Sequence, residues 1–343
     1  MAATDAPPGV TYAHGLVRPV GVRVPREWYV PSNTFAWRAV AVLFGVLLAS
    51  LAALPWLVAR WGVVAVVPVL PVIGAYVYKL TILMHECCHR TLFQSRRLND
   101  RVGLACGGFL VSSYDDFCRA HWQHHRHCGT DEDGEESDYL TLQEASATVL
   151  VLHLIKPLFG VQAGRMALGA LGALARRFGR RQPATPAPGA AAAPRSQVPL
   201  VSPVAQLLAI VGCQVLIMLL ASGGGRYPWL VLVYPLTAGT FGLFFSRVRA
   251  FCEHVRLDRH LGECSVRSHL PNPVDRLFFY TLNMNLHVEH HLFPQVPACH
   301  LPRVRQHLLA VGYLQPAMSS RFILGTIAGV LGQARGRRSR VLS

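Results

Sequence analysis

Charged residues are scarce in this chain. Asp, Glu, Lys and Arg make up 15% of its 343 residues, whereas soluble domains devote about a quarter of their residues to these types. Hydrophobic residues reach 52%, and the mean hydropathy is +0.31. The apolar content excludes a disordered chain, and the low charge disfavours an ordinary soluble globule. The composition is best explained by a protein that resides in a membrane.

Lysine is nearly absent. Of the 33 basic residues, only Lys79 and Lys156 are lysines, and the rest are arginines. Acidic residues number 18, which leaves a net charge of +15. The first 35 residues contain prolines and scattered arginines but no continuous apolar stretch, so we expect no signal peptide there. The nine cysteines are predicted to be reduced cytosolic thiols rather than a disulfide framework, because five of them lie beside histidine clusters and arginine-rich segments: Cys87, Cys88, Cys118, Cys252 and Cys264.

Long apolar runs are present, by contrast, and four of them approach the roughly 20 residues needed for one bilayer crossing. They cover residues 37–59, 63–84, 205–221 and 229–251. Only residues 60–62 separate the first two runs, and residues 222–228 separate the last two. The sequence therefore predicts four transmembrane helices arranged as two hairpins.

Arginine distribution predicts the orientation of these helices. Each short connection carries one arginine, whereas the opposite side carries many, including Arg90, Arg247 and Arg249. By the positive-inside rule the arginine-rich side is cytoplasmic, together with both chain ends. This topology accounts for the positive charge, and no nucleic-acid partner is expected. We divide the chain into a cytosolic lead-in over 1–35, a membrane domain over 36–310 and a basic cytosolic tail over 311–343.

The region between the two hairpins contains shorter apolar segments. Residues 104–111 are too few to cross the bilayer, and residues 145–161 include His153 and Lys156. Both segments are predicted to lie at the membrane interface. Residues 183–199 form an alanine- and proline-rich tract that we interpret as a linker without a role of its own.

Histidines are unusually frequent, and nine of the sixteen are organised. Three clusters read His85-Glu86-Cys87-Cys88-His89, His121-Trp122-Gln123-His124-His125 and His287-Val288-Glu289-His290-His291. Spacings of three and four residues place imidazoles on one face of a helix. His254 follows the fourth apolar run, just as the first cluster follows the second run. In an antiparallel bundle these two ends lie on the same side of the membrane. All nine are therefore predicted to meet where the helices reach the cytosol.

Nine imidazoles exceed the needs of one tetrahedral zinc ion, which takes four ligands. Two metal ions that share eight or nine histidines fit this number better. Imidazole binds iron, copper, zinc and nickel, so the ligand type does not identify the metal.

The first cluster is also an HExxH motif, in which two histidines bind zinc and a glutamate acts as a base in metalloproteases. Asp275 is conceivable as a third, carboxylate ligand. An intramembrane zinc protease would leave the other two clusters unexplained, so it is the weaker alternative. A non-enzymatic metal-binding membrane protein is another.

The order of the three clusters, HxxxH at 85–89 and HxxHH at 121–125 and 287–291, resembles the membrane fatty acid desaturase superfamily. This superfamily of integral-membrane di-iron enzymes also includes carotenoid ketolases and hydroxylases. The segment over 283–294, which contains the third cluster, is especially similar to bacterial members. The resemblance covers about residues 35–310.

The resemblance implies an all-α integral membrane fold in which four transmembrane helices support a cytosolic helical cap with a di-iron site. It also implies that two iron ions (Fe²⁺) and O₂ are used to remove hydrogen from an unactivated carbon of an apolar chain. The implied ligands are His85, His89, His121, His124, His125, His254, His287, His290 and His291.

Five further residues are expected to orient the imidazole N–H groups, as metal-bound histidines commonly require. They are Glu86, Asp116, Glu253, Asn283 and Glu289. Animal acyl-CoA desaturases have an asparagine four residues before the histidine that ends the fourth span, where this chain has Ala250. Asn283 or Asn285 is expected to take over its polar role.

The chain contains no His-Pro-Gly-Gly segment of the kind that binds haem in fused cytochrome b5 domains. Electrons are therefore expected from a separate donor, such as an acidic ferredoxin attracted by the basic face. We predict a multi-pass oxidoreductase of the cell membrane, with a cytoplasmic active site, that introduces a double bond into a fatty acyl or similarly apolar chain. Hydroxylation or ketolation of a lipid, carotenoid or secondary metabolite on the same scaffold is the main alternative.

Overall fold

The computed structural model is mostly helical and describes residues 10–13, 16–19, 22–128, 133, 141–166, 168–169, 172, 201–255, 266–314 and 318–341. Four helical stretches within it are long and apolar enough to cross a membrane. They are Arg26–Trp61, Val63–His89, Pro203–Ser222 and Pro228–His254. Each contains one of the predicted apolar runs, so the prediction of four helices long and apolar enough to cross a membrane is confirmed. The tract 183–199 lies outside the described residues.

The first stretch is dominated by helix α1 (Asn33–Trp61). Ser32 caps α1, because its hydroxyl accepts a hydrogen bond from the Phe35 amide at 3.3 Å. Leucines at helical spacing (Leu43, Leu47, Leu51 and Leu54) form its buried face, whereas Trp37 and Trp56 are more than half exposed. The buried stripe packs on the other helices, and the exposed apolar side suits lipid.

Gly62 ends α1 with a φ of +78°, a conformation that glycine adopts without strain. A 3₁₀ segment (Val63–Val69) follows and leads into helix α2 (Leu70–His89), which packs against α1. Most side chains from Ile73 to His89 are buried. This burial makes α2 the central helix of the molecule, and its last turn contains the first histidine cluster.

The helices that follow α2 before the long undescribed stretch include three that begin at a serine cap. They are α3 (Arg96–Leu110), α4 (Tyr114–His127) and α5 (Ala147–Ile155), with a 3₁₀ turn (Lys156–Phe159) after α5. Serine hydroxyls cap all three helices at Ser95, Ser113 and Ser146. The apolar segments predicted to lie at the interface form the second half of α3 and the α5 region. Helix α4 carries the second histidine cluster.

The remaining two stretches contain α6 (Pro203–Ser222), α7 (Val233–Thr237) and α8 (Leu243–His254). A π-helical turn (Ala238–Gly242) joins α7 to α8 and packs against α2. A Cβ atom at Gly74 of α2 would lie 2.3 Å from Phe241 Cβ, so this close contact requires glycine. The contact fixes α8, and with it His254, relative to α2.

The C-terminal part contains α9 (Pro273–Phe278), α10 (His287–Leu292), α11 (Leu301–Ala310) and α12 (Ile323–Val341). Helix α10 is the third histidine cluster. The segment predicted to be a basic tail thus includes a helix whose Ile323, Val330 and Ala334 side chains are buried in an apolar cluster with α8. This packing corrects the interpretation of residues 323–334 as a tail.

Two small sheets modify the predicted all-α architecture. Strands β1 (Val10–Ala13) and β2 (Leu16–Pro19) form an antiparallel pair within the expected lead-in, and β2 lies beside α10 and α4. Strands β3 (Ser268–His269) and β4 (Ser319–Ser320) pair in parallel. The lead-in therefore contributes secondary structure near the histidine helices.

Candidate metal centre

The three histidine clusters lie in the last turns of α2 and α4 and in α10. His85 and His89 are one turn apart in α2, with ring centroids 4.7 Å apart. His121 and His125 have the same spacing in α4, with centroids 4.6 Å apart. The spacing of four residues therefore presents each pair on one helix face, as the sequence predicts.

Five histidines form the first group, and all three clusters contribute to it. They are His85, His89, His121, His125 and His290, whose ligand nitrogens all lie within 4.8 Å of one another. His89 Nε2 is 2.8 Å from His121 Nε2, and His290 Nε2 is 3.1 Å from His125 Nε2. His85 and His290 thus belong to one group although they are far apart in the sequence.

The second group contains His124, His287 and His291, also within 4.8 Å of one another. His254 joins it at the end of α8, because its Nε2 atom is 3.1 Å from His287 Nε2. The two groups adjoin, with the His125 and His291 ring centroids 4.5 Å apart. The structure thus brings all nine predicted histidines into two neighbouring groups.

The distances between facing nitrogens suit ligands of a common ion. Two imidazole nitrogens, each about 2.1 Å from one ion and at right angles to each other, lie about 3 Å apart. The three facing Nε2 pairs are separated by 2.8, 3.1 and 3.1 Å. His291 Nε2 is buried and has no hydrogen-bond partner among the described residues, as expected of an atom that binds an ion.

Burial also favours the neutral imidazole, which is the form that binds metals. It lowers the pKa well below the ordinary histidine value, and neighbouring imidazoles add to the effect. This applies to His121, His125, His287, His290 and His291. The two groups therefore fit two transition-metal ions, although imidazole alone does not select iron over copper, zinc or nickel.

Carboxylates contact three of the histidines. Glu86 is 3.4 Å from His85 Nδ1, and Glu253 Oε2 is 3.6 Å from His287 Nε2. Asp133, which the sequence analysis missed, is fully buried with Oδ2 2.7 Å from His124 Nδ1. The only local sequence signal for this contact is an acidic run over 131–133. Its last residue, Asp133, follows His124 by nine positions.

Glu289 is fully buried, but its described partners are not histidines. Its Oε1 atom accepts a hydrogen bond from Arg305 and its Oε2 atom accepts one from Ser268, both at 2.5 Å. These bonds attach α10 to α11 and to strand β3. Glu289 thus holds the third cluster in position through the backbone of α10.

Two other expectations need correction. The Asp116 side chain is 69% exposed and pairs with Arg119 in the first turns of α4, so it does not orient a histidine. Asn283 has a φ of +55° and donates a hydrogen bond to the Ala298 carbonyl at 3.0 Å. Asn285 likewise donates to the His269 carbonyl at 2.8 Å. Both asparagines stabilise the loop before α10 because their amides bond to backbone carbonyls.

Asp275, the carboxylate considered for a zinc protease, lies elsewhere. Its amide is capped by Asn272, and its Oδ2 atom accepts a hydrogen bond from the Ile323 amide at 3.2 Å. Asp275 therefore connects α9 to α12 and belongs to none of the metal-binding groups formed by the described residues. The HExxH histidines His85 and His89 share their group with three other histidines, which a protease site does not require.

An apolar cavity of about 440 Å³ is lined by two residues that adjoin the first group. Met84, next to His85, and Phe117, whose ring stacks 5.9 Å from His121, are part of its wall. Tyr78, Thr81, Gln214 and Tyr234 also line it, and each donates a hydrogen bond to a backbone carbonyl. These polar groups are satisfied by the protein, so the cavity is suited to an apolar occupant.

A family model described as fatty acid desaturase matches residues 59–321, which is more than half of the chain and includes all nine histidines. The protein belongs to the fatty acid desaturase family. No curated protein matches the chain significantly. Family, membrane helices and histidine groups together define a membrane metalloenzyme of the desaturase and hydroxylase type that modifies lipids with O₂.

Proposed function

We propose that the protein is a di-iron desaturase that introduces a double bond into a fatty acyl or similarly apolar chain. The observation that carries this proposal is the assembly of nine clustered histidines into two neighbouring groups, beside an apolar cavity whose wall includes Met84 and Phe117. In the overall reaction, the substrate loses two hydrogens and O₂ is reduced to two waters. Two electrons from an external donor and two protons complete the balance.

The nine histidines would hold the two irons. His85, His89, His121, His125 and His290 would bind one iron, and His124, His254, His287 and His291 would bind the other. When bound, the irons supply O₂ activation strong enough to oxidise an unactivated C–H bond. The protein contributes neutral imidazoles, a buried site, a hydrogen bond between Asp133 and His124, and a contact of 3.4 Å between Glu86 and His85.

The cavity would position the substrate. Because Tyr78, Thr81, Gln214 and Tyr234 donate hydrogen bonds to backbone carbonyls, an alkyl chain can enter without leaving these donors unpaired. Met84 and Phe117 would place the reacting carbons near the first group and exclude water from it.

The excess of arginine on the histidine side of the predicted membrane helices, Arg90 and Arg249 among them, supports the proposed cytoplasmic location of the site and of both termini. It would also attract an acidic one-electron donor protein, such as a ferredoxin.

The proposal is tested with full-length protein purified in detergent. We expect about two irons per chain, and we expect reduced protein to convert a saturated acyl substrate to an alkene when O₂ is added. His124→Ala and His290→Ala should abolish turnover without preventing membrane insertion. His307→Ala, at a half-buried position against Trp28, is the matched control and should retain activity. Full turnover in either site variant, a hydroxylated product, or one zinc without iron would contradict the proposal.

A further inference from the structure

Glu253 lies beside the second histidine group. Its carboxylate is 3% exposed, and its Oε2 atom is 3.6 Å from His287 Nε2. The ligand atoms of Glu253, His254 and His287 all lie within 4.8 Å of one another. The donor set at this end of the centre therefore includes a carboxylate oxygen as well as imidazoles.

The other carboxylate oxygen is held away from the histidines. Arg249 Nε donates a hydrogen bond to Glu253 Oε1 at 2.7 Å. Arg249 also donates to the Met284 carbonyl at 3.2 Å and to the Tyr78 hydroxyl at 3.4 Å. Because the guanidinium is fixed on several sides, it orients the carboxylate with Oε1 toward Arg249 and Oε2 toward His287.

We propose that Glu253 Oε2 is a direct ligand of the metal ion bound by His124, His254, His287 and His291. Two ligands about 2.1 Å from one ion lie about 3 to 4 Å apart, depending on the angle between them. The separations of His287 Nε2 from His254 Nε2 and Glu253 Oε2, 3.1 and 3.6 Å, both fall in that range. The inference rests on the proposed metal centre and specifies the composition of one of its two positions.

The two positions then differ chemically. The first has five imidazoles, and the second has four imidazoles and one anionic oxygen. Carboxylate is a harder donor than imidazole and compensates positive charge, so it favours the more highly charged state of an ion. We therefore expect two distinguishable irons in the protein.

Glu289 provides a matched control. Like Glu253, it is fully buried, pairs with an arginine and is next to a cluster histidine in sequence. Both of its oxygens are occupied, one by Arg305 and the other by Ser268. Its replacement removes a buried carboxylate that supports the third cluster but is not a proposed ligand, so we expect a smaller loss of iron affinity than in the Glu253 variant.

The experiment measures iron binding to full-length chelator-stripped protein, anaerobically, in the wild type, Glu253→Gln and Glu289→Gln. In Glu253→Gln we expect one iron to bind normally and the Kd of the other to rise more than 100-fold. Loss of a group that only hydrogen-bonds to a ligand costs about 10–100-fold. A smaller rise in Glu253→Gln, or an equal loss in Glu289→Gln, would overturn the proposal.

A measurement on the wild type keeps the test independent of variant folding. Mössbauer spectra of ⁵⁷Fe-loaded protein should contain two quadrupole doublets of equal area, and one doublet for both irons would overturn the proposal. Wild-type protein that takes up zinc but no iron would refute the proposed function instead. In that case the Kd comparison is repeated with zinc, and the same 100-fold criterion decides whether Glu253 is a ligand.

Discussion

Asp133 and His124 form a buried pair, with Asp133 Oδ2 2.7 Å from His124 Nδ1. His124 is in the last turn of α4, and Asp133 follows after the helix has ended. The contact engages Nδ1, so a metal ion in the second group would bind His124 through Nε2. A carboxylate in this position fixes the orientation and tautomer of a ligand histidine and raises its basicity.

Replacing Asp133 with asparagine is expected to weaken metal binding at the second group by about 10–100-fold. The amide keeps the shape of the side chain but removes the charge that supports the His124 imidazole. Equilibrium dialysis against Fe²⁺ measures the change. Asp116→Asn is the control, because Asp116 is exposed and pairs with Arg119. Equal affinities in wild type and Asp133→Asn would contradict this role.

Lys79 is a buried cation within a membrane helix. Its ammonium donates hydrogen bonds to the carbonyls of Arg276 and Leu277, at 3.1 and 2.7 Å, near the C-terminal end of α9. Lys79→Met should destabilise the protein by about 1–3 kcal/mol, because these carbonyls lose a charged donor.

Thermal unfolding in detergent tests the Lys79 prediction. Lys156, the other lysine of the chain, is exposed, so Lys156→Met should leave the midpoint unchanged. An unchanged or higher midpoint for Lys79→Met would mean that removal of the buried charge offsets the lost bonds.

Ala238 lies in the π-helical turn at the cavity wall. Ala238→Phe should reduce turnover of long acyl substrates by about 10-fold or more, because the ring occupies space that the alkyl chain needs. Leu236→Phe, at a position 57% exposed outside the cavity, should have little effect. Turnover of a substrate series is compared at equal iron content. Unchanged turnover in Ala238→Phe would show that the substrate binds elsewhere.

Deleting residues 183–199 should leave turnover nearly unchanged, since the alanine- and proline-rich composition indicates a linker. The assay is steady-state turnover at matched expression. A collapse of activity with normal membrane insertion would instead assign the tract a role in the site or in donor binding.

Local sequence features predicted the membrane helices and the identity of the clustered histidines. Uninterrupted apolar runs favour membrane helices because lipid offers no hydrogen bonds to the backbone. Spacings such as that of His85 and His89 place side chains on one helix face, because each turn of an α-helix takes 3.6 residues. Both are properties of short segments and need no knowledge of distant contacts.

Tertiary packing decided which side chains meet across the chain. His290 faces His125, and Asp116 points to solvent while Asp133 contacts His124. Glu253 and Glu289 each directly precede a histidine, but one faces His287 and the other is enclosed by Arg305 and Ser268. Helical periodicity fixes neighbours within a helix, whereas contacts between helices depend on how the whole chain packs, including the close approach of Gly74 to Phe241.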